Sequence, residues 1–373
     1  MQHKISVVKI QQILIFDDLW SLFLMKLSKT GNYTAFIINN NNKKGVINMN
    51  KLKKVGLTAL GTSLIATSAL AASYDVTGGA SLTFAGQDNH DKGNGWSMND
   101  EVTFSGTGEM DNGWNITVSM QLDNNAESDG GTESGMDNRS LAIDMGDMGT
   151  LTFYGHGGDS PMSAMDDMMP HADGNETWDT LAAATSGTAK FGSIGGNTVN
   201  NMFHYTNSSL MDGLAVGVSL SPSDGTNLEA TTSFGVTYTG VEGLTVGYAQ
   251  DENSEAGALQ TDFETMYVKY AYGPITVGYQ ESESSSATAA DNDDFTAYGI
   301  SYAVSDDITI SYNESSYDDG SQTTDQENSA FGISYTMGSI KVTGILANMD
   351  NVGGSTATID DVTGYEIGMS FTF

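Results

Sequence analysis

The sequence has no cysteine, only four prolines, and few of the helix-forming residues lysine, arginine and glutamine. The absence of cysteine leaves the redox compartment open, although it agrees with an envelope protein that needs no disulfide bonds. Glycine is abundant, with 44 residues, and there are 16 tyrosines and many threonines, serines and valines. This composition favours β-strands joined by turns of small residues over helices.

Long apolar runs are also missing after Ala72, where none reaches the roughly 18 residues that indicate a transmembrane helix. A helical membrane protein is therefore excluded for this part of the chain. Backbone polar groups inside a bilayer must be hydrogen-bonded within the protein, so any membrane-spanning structure here must be a closed β-barrel.

Positive charge is scarce outside the N-terminal region. Nine of the 14 Lys and Arg residues lie before Val55, and residues 73–373 carry five basic against 45 acidic groups, a formal charge of −40. Such a surface repels nucleic acid, because it cannot release the counterions of a phosphate backbone. The acidic residues alternate with regular apolar patterns, which argues against a disordered acidic tail.

A secretion signal begins at Met49. Residues 49–54 (MNKLKK) form a basic segment, residues 55–68 form a short apolar segment, and residues 69–71 (ALA) are a small-x-small cleavage site before Ala72. The apolar segment is too short to cross a bilayer, which requires about 20 residues. The pattern therefore predicts a cleaved signal peptide over residues 49–71.

Residues 1–48 precede this signal, although a signal peptide belongs at the start of a chain. Their apolar run is interrupted by Asp17 and Asp18. We interpret them as a misassigned upstream start or an unstructured extension, with Met49 as the true first residue. A genuine leader of other use stays open.

The chain after the signal repeats an alternation of apolar residues with small or polar ones over about ten residues, the pattern of a strand with two different faces. In GWNITVSMQL, residues 113–122, the predicted outward set is Trp114, Ile116, Val118, Met120 and Leu122. Pairs of such segments flank short turns predicted near Val241, Gly273, Asp306 and Gly338. Sixteen strands are counted, beginning near residues 74, 100, 113, 138, 149, 197, 213, 231, 243, 263, 274, 295, 307, 328, 339 and 362.

This pattern predicts an all-β protein, a transmembrane antiparallel barrel of about sixteen strands with short turns at one end and long polar loops at the other. The second face of the strands is mainly glycine, serine, threonine, alanine and asparagine, which suits a water-filled interior. A soluble β-sandwich or β-helix is the alternative. Rings at the strand ends are expected at the level of the lipid headgroups: Tyr248, Tyr270, Tyr272, Tyr279, Tyr302, Tyr312 and Tyr335.

The signal peptide, the hairpin series, one very long loop and the last strand together resemble the Gram-negative general porins. The last strand, VTGYEIGMSFTF, ends on Phe371 and Phe373 and is similar to the terminal signal that the barrel-assembly machinery recognises. The resemblance implies an outer-membrane homotrimer in which each subunit has its own pore. It also implies that the third loop, expected at residues 155–189, folds into the barrel and narrows it.

The expected third loop combines acidic residues with methionines and Trp178, a mixture that suits a loop packed against an inner wall with its carboxylates turned to the lumen. An exposed acidic loop is the alternative. The candidate constriction residues are Asp159, Asp166, Asp167, Asp173, Glu176 and Asp179. In general porins, arginines on the wall face such acids. This chain has a single arginine, Arg139. It has the same parity as Leu141, which is expected to face outward, so Arg139 is expected outside the lumen. The candidate lumenal bases are Lys190, Lys269 and Lys341.

The resemblance implies passive diffusion of small hydrophilic solutes, and the excess of carboxylates predicts a preference for cations. A substrate-specific channel and a structural or adhesive barrel without an open pore stay open as alternatives. No nucleophile is paired with a base by a recognisable motif, so no enzymatic activity is expected. No cofactor is expected either, although the acidic segments at residues 128–134 and 316–320 leave calcium binding in the loops open.

Cleavage before Ala72 is directly testable. If residues 49–71 are the export signal, mass spectrometry of the protein isolated from outer membranes should identify Ala72 as the N-terminal residue. Peptides from residues 1–48 in that mature protein would contradict the assignment.

Overall fold

The computed structural model describes residues 22–27, 33–38, 73–88, 95–123, 138–172, 194, 200–222, 230–253, 261–286, 292–354 and 361–373. The chain divides into two units, residues 1–69 and residues 70–373. In the first unit, strands β1 (Leu22–Leu27) and β2 (Tyr33–Ile38) form an antiparallel pair. Within the described ranges, no helix is long and apolar enough to cross a membrane.

The second unit is a closed antiparallel barrel of sixteen strands, as the sequence predicts. Each strand pairs with its neighbour in sequence, and the last strand closes the ring by pairing with the first. The strands are β3 (Ser73–Gln87), β4 (Gly95–Glu109), β5 (Asn115–Asp123), β6 (Arg139–Asp144), β7 (Thr150–His156), β8 (Met202–Met211), β9 (Leu214–Ser221), β10 (Thr231–Val241), β11 (Leu244–Asn253), β12 (Thr261–Tyr272), β13 (Ile275–Ser286), β14 (Asp293–Ala303), β15 (Ile308–Asp319), β16 (Gln326–Met337), β17 (Ile340–Asp350) and β18 (Val362–Thr372).

Short turns at one end of the barrel depend on glycine. Gly213, Gly243, Gly273 and Gly338 have φ between 58° and 76°, a left-handed conformation that other residues adopt at a cost. The four turns predicted from the sequence are confirmed, since β10–β11, β12–β13, β14–β15 and β16–β17 are joined there.

The two faces of the strands differ as the alternation predicts. On β5 the side chains of Val118, Met120 and Leu122 are exposed on the outer surface. The intervening Thr117 and Ser119 face inward, where they contact residues of β4. On this strand, apolar residues therefore face the outside of the barrel and small polar residues face its inside.

Several strands extend further than the polar composition of their sequence indicates. The polar sequence of residues 87–100 and 281–294 predicts loops, yet β4 begins at Gly95 and β13 continues to Ser286. In residues 281–286 both faces of the strand are polar, so no alternation marks the extension, whereas in residues 95–100 the outward side chains of Trp96 and Met98 continue the alternation. Hydrogen bonding between neighbouring strands continues nevertheless, as in the pairs of β13 with β12 up to Ser286.

The barrel closes at the C-terminal residue. The backbone N–H of Gly78 donates to the carbonyl oxygen of Phe373 at 3.0 Å, and the N–H of Phe373 donates to the carbonyl oxygen of Gly78 at 2.9 Å. A Cβ atom at position 78 would lie only 2.8 Å from Cζ of Phe373. The Phe373 ring therefore covers Gly78, and the Phe371 ring centroid lies 6.1 Å from that of Phe373.

Deletion of Phe373 should impair assembly because it removes two closing hydrogen bonds and the ring over Gly78. We expect the yield of heat-modifiable folded protein to fall severalfold. A matched control shortens the exposed turn at residues 321–323, where no barrel pairing is lost. Equal folded yields of the two variants would contradict the role of Phe373 in closure and assembly.

Candidate pore constriction

The third long loop connects β7 to β8 and spans residues 157–201, so it starts and ends later than the 155–189 expected from the sequence. Its part at residues 157–172 lies inside the barrel along the inner wall. The methionines of this part pack as predicted: Met162 and Met169 are almost completely buried. Met169 belongs to an apolar cluster with Ile194 of the same loop and the wall residues Phe295, Ala297 and Tyr317.

Two prolines of the loop rest on pairs of wall glycines. Gly217 and Gly235 are directly paired across β9 and β10, and a Cβ atom at Gly235 would lie 2.8 Å from Cβ of Pro161. Gly278 and Gly299 are paired across β13 and β14 in the same way. Cβ atoms there would lie 2.6 Å and 2.8 Å from Cδ of Pro170.

The absence of side chains at these glycines lets the loop backbone approach the wall. A Cβ atom closer than about 3 Å to a proline ring requires the ring to move, because protein interiors are close-packed. The glycine pairs therefore fix the distance between the loop and the wall at two points, on β9–β10 and on β13–β14.

Hydrogen bonds hold the loop at both ends of this segment. The hydroxyl of Ser160 donates to Oδ2 of Asp251 at 3.2 Å, and the N–H of Met162 donates to Oγ of Ser233 at 3.3 Å. At the other end, the N–H of Ala172 donates to Oγ of Ser311 at 2.9 Å. The segment thus follows the inner wall from β9 to β15.

The predicted constriction acids lie on this segment or outside the described residues. Asp159 is exposed, and Asp166 and Asp167 are partly exposed. Asp167 Oδ2 lies 3.9 Å from Nε2 of His171. The remaining predicted acids, Asp173, Glu176 and Asp179, lie outside the described residues.

The predicted lumenal bases do not form a cluster opposite the loop. Lys269 faces the interior on β12, with its Nζ atom 5.6 Å from the ring centroid of Tyr267, and its charge interacts with that of Asp167. It therefore belongs to the side of the lumen that the loop covers. Lys341 faces inward on β17, and Lys190 lies outside the described residues.

Arg139 faces outward, as its parity predicts. It starts β6 opposite Met120 of β5, whose side chain is exposed on the outer surface. The single arginine of the chain therefore contributes no charge to the lumen.

Glu101 is a lumenal acid that the sequence interpretation did not identify. It lies on β4, eight places from β12 in the ring of sixteen strands, and so diametrically opposite the wall that carries the loop. Its carboxylate accepts a hydrogen bond from Gln121, which in turn accepts one from Asn138. The alternation with outward Val102 and Phe104 already places Glu101 on the inner face of the strand expected to begin near residue 100.

The loop does not fill the interior. A cleft of about 460 Å³ lies between the loop and the wall, lined by Met165 and Met168 of the loop and by His204 and Tyr267 of the wall, among others. Loop residues 351–354 also fold inward, where Val352 joins an apolar cluster with Met349 and Val362.

Of the described residues, no group of three or more His, Asp or Glu could hold a metal ion, and the acidic segment at residues 128–134 lies outside the described residues.

A closed sixteen-stranded barrel with an apolar outside, a polar inside and an internal loop defines the class of large transmembrane β-barrel channels. A family model of Gram-negative porins matches residues 56–354, most of the chain. The chain belongs to this family, and it is an outer-membrane protein.

Solved structures with the same fold are distant in sequence. An anion-selective porin from Comamonas acidovorans has 15% identity and a TM-score of 0.60, covering 81% of this chain and 100% of its own. The trimer form of OmpT, an outer membrane protein of Vibrio cholerae, has 13% identity, a TM-score of 0.59 and the same coverage. A triple mutant of the Rhodopseudomonas blastica porin has 14% identity and a TM-score of 0.59, again with that coverage. A comparison with curated protein sequences gives no match.

Proposed function

We propose that this protein forms a cation-preferring channel for the passive diffusion of small hydrophilic solutes and ions. The observation that carries the proposal is the position of acidic groups on both sides of the lumen. Asp159, Asp166 and Asp167 lie on the loop, and Glu101 lies on the opposite wall. Walls of one sign raise the local concentration of counterions, so the pore should favour cations.

The fold alone does not decide ion selectivity, since one structure with this fold is described as anion-selective. The charges at the constriction must therefore decide it. Lys269 offsets part of the loop's negative charge because it interacts with Asp167. A strong transverse field would need bases on the wall opposite the loop, but that wall carries the carboxylate of Glu101. Both sides of the lumen are therefore acidic, which favours a modest cation preference.

Other functions have weaker support. A substrate-specific channel needs a continuous binding track, whereas the buried aromatic residues Tyr267, Phe295 and Tyr317 are covered by neighbouring groups. A purely structural barrel would be supported if the correctly folded protein showed no stable single-channel conductance. Enzymatic activity is not part of the proposal, and hydrolysis of peptide or phospholipid by the purified protein would contradict that view.

We further propose a homotrimer whose subunits contact each other through β3 to β5. On the outer face of β11 to β17, exposed carboxylates occupy the ends of the strands near the long loops: Glu252, Asp262, Glu264, Glu281, Glu283, Asp294, Glu314, Asp318, Glu327 and Asp350. Two such surfaces would repel each other. At the corresponding ends of β3 and β4, the outer face instead carries Phe84, Trp96 and Met98, and the last two are 70% and 63% exposed.

The same sector contains a carboxylate that lipid would not stabilise. Asp100 points outward on β4 opposite Ala80 of β3, between the outward side chains of Met98 and Val102. Hydrocarbon offers no hydrogen-bond donors to a carboxylate, whereas a neighbouring subunit can offer them. This favours contact between copies over contact with lipid at β3 to β5.

Neutralising the loop acids should weaken cation preference. In planar bilayers with a salt gradient, D166N/D167N should lower the reversal potential by roughly half, because two of the three described loop carboxylates are neutralised while Asp159 and Glu101 remain, and adding E101Q should lower it further. The preference should also weaken between 0.1 M and 1 M salt, since the Debye length falls from about 10 Å to about 3 Å.

The matched control neutralises an equal or larger number of acids at the rim. D318N, D319N, D325N and E327Q lie at the long-loop end of β15 and β16 and should change the reversal potential less. If the rim variants and the loop variants act equally, the loop is not the selectivity-determining constriction.

Subunit contact can be tested by cross-linking because the chain has no cysteine. We expect M98C to give covalent oligomers with a short thiol-reactive cross-linker in outer membranes. I300C, at an exposed outer position of β14, should give none. Cross-linking through position 300 but not position 98 would assign the subunit contact to the wrong sector.

A further inference from the structure

We propose that Gln280 is the positioning residue of the constriction: its buried amide holds the loop backbone around Asp166 and Asp167 and thereby sets the cation preference of the pore. This inference rests on the proposed function, because the selectivity that Gln280 would control is the one proposed above. It adds a specific wall residue that contacts neither the membrane nor the permeating ion.

Gln280 forms hydrogen bonds with three residues within the four-residue loop segment 165–168. Its Nε2 atom donates to the carbonyl oxygens of Met165 at 2.9 Å and Asp166 at 2.8 Å. Its Oε1 atom accepts a hydrogen bond from the N–H of Met168 at 2.9 Å. One side chain therefore binds the backbone both before and after Asp167.

The amide group is itself held in place from the wall. Oγ1 of Thr265 on the neighbouring strand β12 lies 3.0 Å from the same Nε2 atom, whose two hydrogens it shares with the loop carbonyl oxygens, and Thr265 in turn bonds with Ser282 at 2.8 Å. Gln280 is 0% exposed, so no water competes for these hydrogen bonds. A buried side chain with fixed orientation can hold a loop more precisely than an exposed one.

Gln280 has the chemistry that this position requires. The loop presents carbonyl oxygens and an N–H group to the same wall residue, so the residue must both donate and accept hydrogen bonds. A primary amide does both without charge, whereas a carboxylate can only accept. Alanine at position 280 would leave the two carbonyl oxygens and the N–H without their wall partner.

The glycine pairs alone do not determine the orientation of the acids. Pro161 and Pro170 rest on their glycines at the two ends of the segment, and these contacts limit how closely the loop approaches the wall. They do not restrict rotation of the backbone between the two prolines. Gln280 lies between them and restricts that rotation at the residues that carry the carboxylates.

A double-mutant cycle on ion selectivity tests the proposal. Q280A should lower the reversal potential about as far as D166N/D167N does, while the yield of heat-modifiable folded protein is unchanged. Added to D166N/D167N, Q280A should have little further effect, because residues that act as a unit are not additive. Full additivity, or an unchanged reversal potential in a folded Q280A protein, would overturn the proposal.

Gln326 provides a matched control. It is a buried inward glutamine on β16 whose Oε1 atom accepts a hydrogen bond from the N–H of Gly353 at 3.1 Å, so it holds a different loop. Q326A also removes a buried primary amide from the wall, and it should leave the reversal potential unchanged. An equal loss in Q326A and Q280A would show a general effect of removing wall glutamines and would overturn the specific role.

A second variant covers the case in which Q280A does not fold. Q280M keeps nearly the size of the side chain without adding charge, but it cannot donate to the carbonyl oxygens of Met165 and Asp166, so it should also lower the reversal potential. A folded Q280M protein with wild-type selectivity would overturn the proposal.

Single-channel recordings separate this proposal from the proposed function. If the wild-type channel has no cation preference, the proposed selectivity is wrong. A freed loop should still make the open-channel current of Q280A noisier than that of Q326A, and equal noise in the two variants would overturn the role of Gln280 as the residue that holds the loop.

Discussion

The structure depends on the requirement that every backbone N–H and C=O group inside a bilayer be hydrogen-bonded within the protein. The sixteen-stranded ring meets it only because β18 pairs with β3 and leaves no free edge. The hydrogen bonds between Gly78 and Phe373 complete that pairing at the C-terminal residue. Closure in turn creates an interior too wide for wall side chains to fill, so the interior needs a separate element to narrow it.

That element is attached by the same small and polar residues that make the interior wet. Glycine pairs admit Pro161 and Pro170 close to the wall, and Gln280 binds the backbone between them. The wall is therefore a specific docking surface for the loop as well as a lining for water. Its polar side chains serve both purposes, because some of them form hydrogen bonds with the loop and the others can form hydrogen bonds with water.

Sequence patterns predicted the barrel well because alternation has a period of two and follows directly from strand geometry. Strand number, turn positions and the outward parity of residues such as Val118 and Arg139 all came from it. The prediction was poorest at residues 281–286, where both faces of the strand are polar and no alternation marks it, and at residues 95–100, where the outward Trp96 and Met98 lie within a mostly polar segment. The alternation of Glu101 with outward Val102 already places it in the lumen.

Local sequence by itself determined the strand count, the closing strand and the packing of methionines in the third loop, because these depend on composition and near neighbours. Only the tertiary structure decided which groups face the lumen around the third loop. Asp167 and Lys269 lie on one side of the lumen, Glu101 lies on the other, and Gln280 contacts a loop more than 100 residues away in the chain. The physical reason is that ring closure brings distant strands together, and no local pattern encodes which wall position the loop will meet.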